Sequence, residues 1–111
     1  MFRRSTHAGV ELVQPAVPLV RDTQADLDET VEACLASGSG RVVFDLREVS
    51  LIDSVGLEAL VNLQEQCLRR GGALKLAGPT HLCRDVLHVT GVDEQIEIIA
   101  DPVAAVGSFS S

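Results

Sequence analysis

At 111 residues, 46% of them hydrophobic, the chain encodes one globular domain with a sizeable core and no room for a second. Three Phe and no Trp or Tyr leave an aliphatic core and no aromatic platform on which nucleobases would stack. The net charge of −7, from 9 basic and 16 acidic residues, excludes direct nucleic-acid binding and direct insertion into an anionic membrane, and points to a cytoplasmic protein.

Residues 1–8 read as a loose basic arm. No apolar run of about 7 to 15 residues follows it, so it is not a secretory signal. No segment holds the roughly 18 apolar residues of a membrane span. One domain is expected over 9–106, with 107–111 as a frayed tail.

Val10 to Val13 alternates as a strand does. Pro15 and Pro18 interrupt the next apolar patch, Ala16 to Val20, which is at best an edge strand or an extended lead-in. Asp22 or Thr23 is then the expected cap of a first helix, with Leu27, Val31, Cys34 and Leu35 at helical spacing. Asp26, Asp28 and Glu29 lie in its early turns, where the helix dipole favours negative charge. Ser37-Gly38-Ser39-Gly40 ends it. With Asp22 and Glu32, these acids form a run that reads either as a solvated face or as a docking patch for a basic partner.

Arg41 to Leu46 is a compact apolar run, the pattern of a buried strand. A second helix is expected from Ser54 to about Arg70, with Leu57, Leu60, Val61 and Leu68 on one face. Two cations and then Gly71-Gly72 close it. Ala73 to Ala77 is a strand. Thr80 caps a short helix to about Thr90, with Leu82, Val86 and Leu87 inward. Ile96 to Ile99 is a strand, and Asp101-Pro102 opens a last helix over Val103 to Val106. Alternating strands and helices predict an α/β fold: a mixed, mostly parallel sheet of four to five strands flanked by about four helices. Sites in such folds gather where strands end and helices begin.

Cys34, Cys67 and Cys83 are odd in number, contain no C-x-x-C, and fall on or beside apolar faces. They are expected to be buried free thiols in a reducing compartment. No cofactor is expected. His81, Cys83 and His88 share a short helix, but that spacing is read as packing and surface, and no metal site is expected.

The joint Ile52-Asp53-Ser54-Val55-Gly56 puts a hydroxyl where a strand segment feeds a helix. One reading is structural: Asp53 and Ser54 accept hydrogen bonds from first-turn amides, and Gly56 admits another backbone. The other is functional: Ser54 is a phosphorylation site, whose phosphate meets free N–H groups and the positive end of the helix dipole. Both can hold. A hydrolase elbow needs Gly-x-Ser-x-Gly, and position 52 is Ile. No phosphate-cradling glycine motif opens a helix here, and no nucleophile–base pair is found.

Leu46 to Leu60 resembles the signature of STAS domains, the anti-sigma factor antagonists. Asp45, Leu46, Val49, Ile52, Asp53, Ser54, Gly56 and Leu57 match it. Arg70-Gly71-Gly72-x-Leu74, Leu76-x-Gly78-Pro79 and Leu87-x-x-Thr90-Gly91-Val92 are similar to later parts of the family pattern. The resemblance implies a small STAS-type domain and a non-catalytic partner switch. It implies that Ser54 is phosphorylated by an anti-sigma factor serine kinase, that the unmodified form binds that kinase, and that a cognate phosphatase restores binding. It places the partner surface at Asp53, Ser54, Val55, Gly56 and Leu57, with Asp22 beside them. Val55 stands where the family often has a second serine, leaving Ser54 the one hydroxyl at the joint. Before the first helix the family usually carries Gly-x-hydrophobic-Asp. Here the stretch is Pro18-Leu19-Val20-Arg21-Asp22, and Asp22 is the one candidate counterpart. The other reading the resemblance leaves open is a non-phosphorylated STAS subunit of a lipid or small-molecule transport system.

Overall fold

A computed structural model describes residues 2–110. Five strands form one sheet in the order of the chain: β1 (Phe2–His7), β2 (Val10–Pro15), β3 (Arg41–Asp45), β4 (Ala73–Ala77) and β5 (Glu97–Ile99). β1 and β2 are antiparallel and every later pairing is parallel. Helix α1 (Gln24–Ala36) links β2 to β3, α2 (Ser54–Arg69) links β3 to β4, and α3 (His81–Val89) links β4 to β5. Right-handed crossovers in a sheet that grows in one direction put successive helices on one face. The main core agrees. Leu27, Cys34, Leu60, Leu63, Cys67, Cys83 and Leu87 of the three helices pack with Val13, Val42, Phe44, Leu74 and Leu76 of the strands. The short helix α4 (Pro102–Gly107) turns back over the other face, where Ala105 packs with Val10, Val43 and Ala77. The fold is thus the mixed, mostly parallel α/β sheet with four helices that the pattern predicts.

Several local expectations change. Residues 2–7 are no loose arm but the edge strand β1. Ala8 (φ 52°) and Gly9 (φ 80°) supply the two left-handed residues of a tight hairpin turn. Glu11, 3% exposed, fixes the pairing by accepting from Arg4 Nη1 at 2.9 Å and from Thr6 Oγ1. A polar strand with one buried apolar residue, Phe2, joined through Ala-Gly, carries little strand signal. At the other end, Ser108–Ser110 forms a 3-10 turn, and Phe109 packs on the second core with the Lys75 ammonium 4.2 Å from its ring centroid. Among the described residues neither the loose arm nor the frayed tail is seen, and residues 1 and 111 lie outside them.

The faces of two helices also shift. α2 buries Gly56, Leu60, Leu63, Gln64 and Cys67, while Leu68 is 57% exposed. Leu57 and Val61 only flank the core. The true stripe holds a glycine, an amide and a thiol, which a count of large apolar residues passes over. Gln64 belongs there because it is satisfied: Nε2 donates to Gln95 O and Oε1 accepts from Leu74 N, both at 2.8 Å. In α3 the inner residues are Cys83 and Leu87, with Val86 half-buried and Leu82 outward.

The predicted cap of the first helix is a different structure. A 3-10 turn, Arg21–Thr23, precedes α1, and Thr23 makes no side-chain cap for α1. Its hydroxyl accepts from Val20 N at 3.1 Å and donates to Pro18 O at 2.7 Å. It therefore secures the Ala16–Val20 lead-in. Within that stretch Leu19 bridges parallel to Ile52. The lead-in is thereby held beside the residues that open α2.

Candidate functional site at the start of helix α2

The segment from Leu46 to Asp53 leaves the carboxyl end of β3 and climbs to α2. It is anchored through Val49, which is fully buried and whose carbonyl accepts from Cys83 Sγ at 3.2 Å. Asp53 stops it in an extended conformation (φ −98°, ψ −173°), so that its side chain folds over the helix that follows. Oδ1 accepts from Val55 N at 2.9 Å and Gly56 N at 3.0 Å, satisfying two first-turn amides that have no partner inside the helix. Oδ2 reaches the other way and accepts from Arg21 N at 3.0 Å. One carboxylate thus clips the lead-in to α2.

The backbone reinforces the clip. Leu19 N donates to Leu51 O at 2.9 Å, and Asp53 N donates to Leu19 O at 3.2 Å. Gly56 sits against the same carbonyl: a Cβ there would lie 2.1 Å from Leu19 O. No side chain fits, so glycine is required by close approach. The Gly56 N–H holds the Asp53 carboxyl below its usual pKa. Partial burial opposes that, and the Arg21 and Val55 amides and the Arg21 charge add to it.

Ser54 is the first residue of α2. It is exposed, and its hydroxyl has no partner among the described residues. It does not share the capping, which Asp53 performs alone. Of the first-turn amides that a phosphate here was expected to meet, Val55 and Gly56 N–H already serve Asp53 and Leu57 N–H serves Asp53 O. A phosphoryl group on Ser54 would instead stand beside a committed carboxylate, where its charge repels.

Around the hydroxyl, Leu51 is 43% exposed, Val55 and Leu57 are half-buried, and Leu57 also packs on the main core. Asp22 is exposed on the turn whose neighbour Arg21 is tied to Asp53. The predicted residues Asp53 to Leu57 and Asp22 therefore gather at one end of the sheet. Asp26, Asp28, Glu29 and Glu32 are exposed along α1, which continues from that turn. Leu19 and Arg21 are the members that sequence reasoning missed. Their one sequence signal is Gly56 in the first turn of a helix, which announces a close backbone without saying whose.

Beside β3, the buried Asp45 receives Arg47 Nε at 3.0 Å and Nη2 at 2.9 Å. Burial pushes its pKa up, and the hydrogen bonds from Arg47 outweigh burial and leave it below the usual range. This pair supports the base of the segment.

A family profile described as "Mlab, STAS domain" matches residues 18–100. The protein TM1081 of Thermotoga maritima superposes with a TM-score of 0.92 at 22% identity, over 99% of this chain and 95% of that one. The anti-sigma factor antagonist SpoIIAA in its unphosphorylated form gives 0.83 at 13% identity, over 99% and 96%. A sulfate transporter family protein from Wolinella succinogenes gives 0.78 at 22% identity, over 94% and 87%. At these identities the likenesses are likenesses of fold. No curated protein matches the sequence. No helix among the described residues is long and apolar enough to cross a membrane.

Proposed function

The chain belongs to the STAS domain family, and from that premise we propose that it is a cytoplasmic, non-catalytic partner switch, an anti-sigma factor antagonist controlled at Ser54. One observation carries the reading: a lone, unpartnered, exposed hydroxyl stands on the first turn of α2, beside a carboxylate whose oxygens are already committed. Unmodified, the surface of Leu51, Asp53 to Leu57 and Asp22 docks an anti-sigma factor serine kinase, which then releases its sigma factor. The kinase transfers a phosphoryl group from ATP. The Ser54 Oγ–P bond forms as the bond from the γ-phosphorus to its bridging oxygen breaks, the hydroxyl proton passes to a base on the kinase, and ADP leaves. The product carries nearly two more negative charges next to Asp53, and docking is lost. A cognate phosphatase hydrolyses the ester and restores it. Incubation with the kinase and ATP should add one phosphoryl group to the wild type, read by intact mass, and none to Ser54→Ala. Addition to both proteins would remove Ser54 from the account.

The likeness to a sulfate transporter family protein favours a second reading, a STAS subunit of a lipid or small-molecule transport system with no phosphorylation cycle. The neighbouring genes separate the two. An ATP-binding kinase encoded alongside supports the switch, and a membrane transporter subunit supports the alternative.

A further inference from the structure

Arg21 is exposed at the joint, and its guanidinium has no hydrogen bond or ion pair among the described residues. Its main chain is fixed, because its N–H donates to Asp53 Oδ2 at 3.0 Å. Ser54 follows Asp53 directly, ~3.8 Å on between Cα atoms. Arg21 and Ser54 therefore both adjoin the Asp53 carboxylate, Arg21 through its main-chain hydrogen bond and Ser54 through the chain. Asp53 in the joint, Asp22 next to Arg21 in the chain, and Glu58 one turn along the face of α2 that carries Ser54 are negative, while Arg47 at the carboxyl end of β3 is already bound to Asp45. The first-turn amides of Val55, Gly56 and Leu57 are occupied.

We infer that Arg21 is the internal partner of a phosphoryl group on Ser54, its guanidinium donating to two phosphate oxygens across Asp53. The inference rests on Ser54 being the phosphoacceptor. A planar guanidinium matches phosphate geometry and tolerates partial exposure, and charge-assisted pairs of this kind are the strong ones. Phosphorylation then does two things to the docking surface. It adds negative charge at the head of α2, and it withdraws the one cation of the lead-in that the unmodified protein offers to a partner. Arg21 is in this sense a positioning residue for the switched-off state.

The test uses the full chain with phosphoserine placed at position 54 by genetic encoding, so that no kinase is needed. Phosphorus NMR follows the second ionisation, which for phosphoserine lies at about 6. Arg21→Gln should raise that pKa by about half a unit or more relative to the wild-type phosphoprotein. The difference should shrink in high salt, and Arg21→Lys should retain part of the effect. The main-chain clip to Asp53 needs no Arg21 side chain, so the variant keeps the fold and its amide spectrum reports that. Superimposable titrations for wild type and Arg21→Gln would overturn the pairing. The two proposals fail separately. A phosphoprotein that shows the Arg21 effect and still binds the kinase as tightly as the unmodified chain leaves the pairing standing and removes the switch.

Discussion

Asp53 and Ser54 are neighbours with opposite duties. Asp53 is spent on structure, with three main-chain N–H donors on one carboxylate. The Ser54 hydroxyl has no partner among the described residues. Asp53→Ala should therefore destabilise the domain, lowering the thermal midpoint by about 5 °C. It should also unlock the Arg21 amide, read as lost hydrogen-exchange protection at that residue. Ser54→Ala should leave the midpoint within about a degree. The pH dependence follows in sign. Because the folded-state pKa of Asp53 is lowered, its contribution is complete above the ordinary Asp value of about 3.9 and is lost as pH falls through the depressed folded value. The gap in urea midpoint between wild type and Asp53→Asn should be flat from pH 7 to about 5 and narrow below about 4. A gap that widens in acid would contradict the clip. At this scale the sequence was informative about Ser54 and Asp53, since a helix start with an acid and a hydroxyl has few meanings. It was silent on Arg21, whose role comes from a contact across more than thirty positions.

Helix α2 and the lead-in before α1 behave as one element. Gly56 is the contact between them, with Leu19 O where its Cβ would be. Gly56→Ala should cost about 1–3 kcal/mol by overpacking and should push the lead-in off the joint. A urea melt gives the first effect. The second is weaker docking of the kinase even with Ser54 unmodified. Wild-type stability in Gly56→Ala would mean that the close approach is not held in solution. The elements themselves were legible where period and caps agreed: Thr80 accepts from Cys83 N and Asp101 from Ala104 N, each at the start of the helix it was expected to open. They were illegible where tertiary contacts decide. β1 is a strand because Glu11 is buried against Arg4 and Thr6, a polar arrangement with no hydrophobic signature. The inward stripes of α2 and α3 pass through Gly56, Gln64, Cys67 and Cys83, residues that hydrophobicity counts misplace.

The whole molecule is a sheet with three helices on one face and a single short helix on the other, and its reactive groups are divided between interior and surface accordingly. The three thiols are buried. Burial pushes Cys34 and Cys67 up to about 11, so neither is a thiolate at neutral pH. A thiol reagent should label the native protein very slowly and all three cysteines promptly in denaturant. Fast native labelling would contradict the packing of α1 on α2. The outward groups include Ser54 and Asp22 at the end of the sheet where β3 gives way to α2, and the acids Asp26, Asp28, Glu29 and Glu32 along α1. The α/β class was readable from alternation alone, and the candidate site was expected where a strand segment meets a capped helix with a spare hydroxyl. Of the surface around it, Asp22 was anticipated, but the clip of Leu19 and Arg21 to Asp53 and Gly56 was not, because it joins two stretches far apart in the chain. The central claim is that this surface is switched at Ser54. Calorimetric titration of the anti-sigma kinase with the unmodified protein and with the protein carrying phosphoserine at 54 tests it most directly. The account predicts binding by the first and a loss of at least about a hundredfold in the second, and equal affinity for the two forms would contradict it.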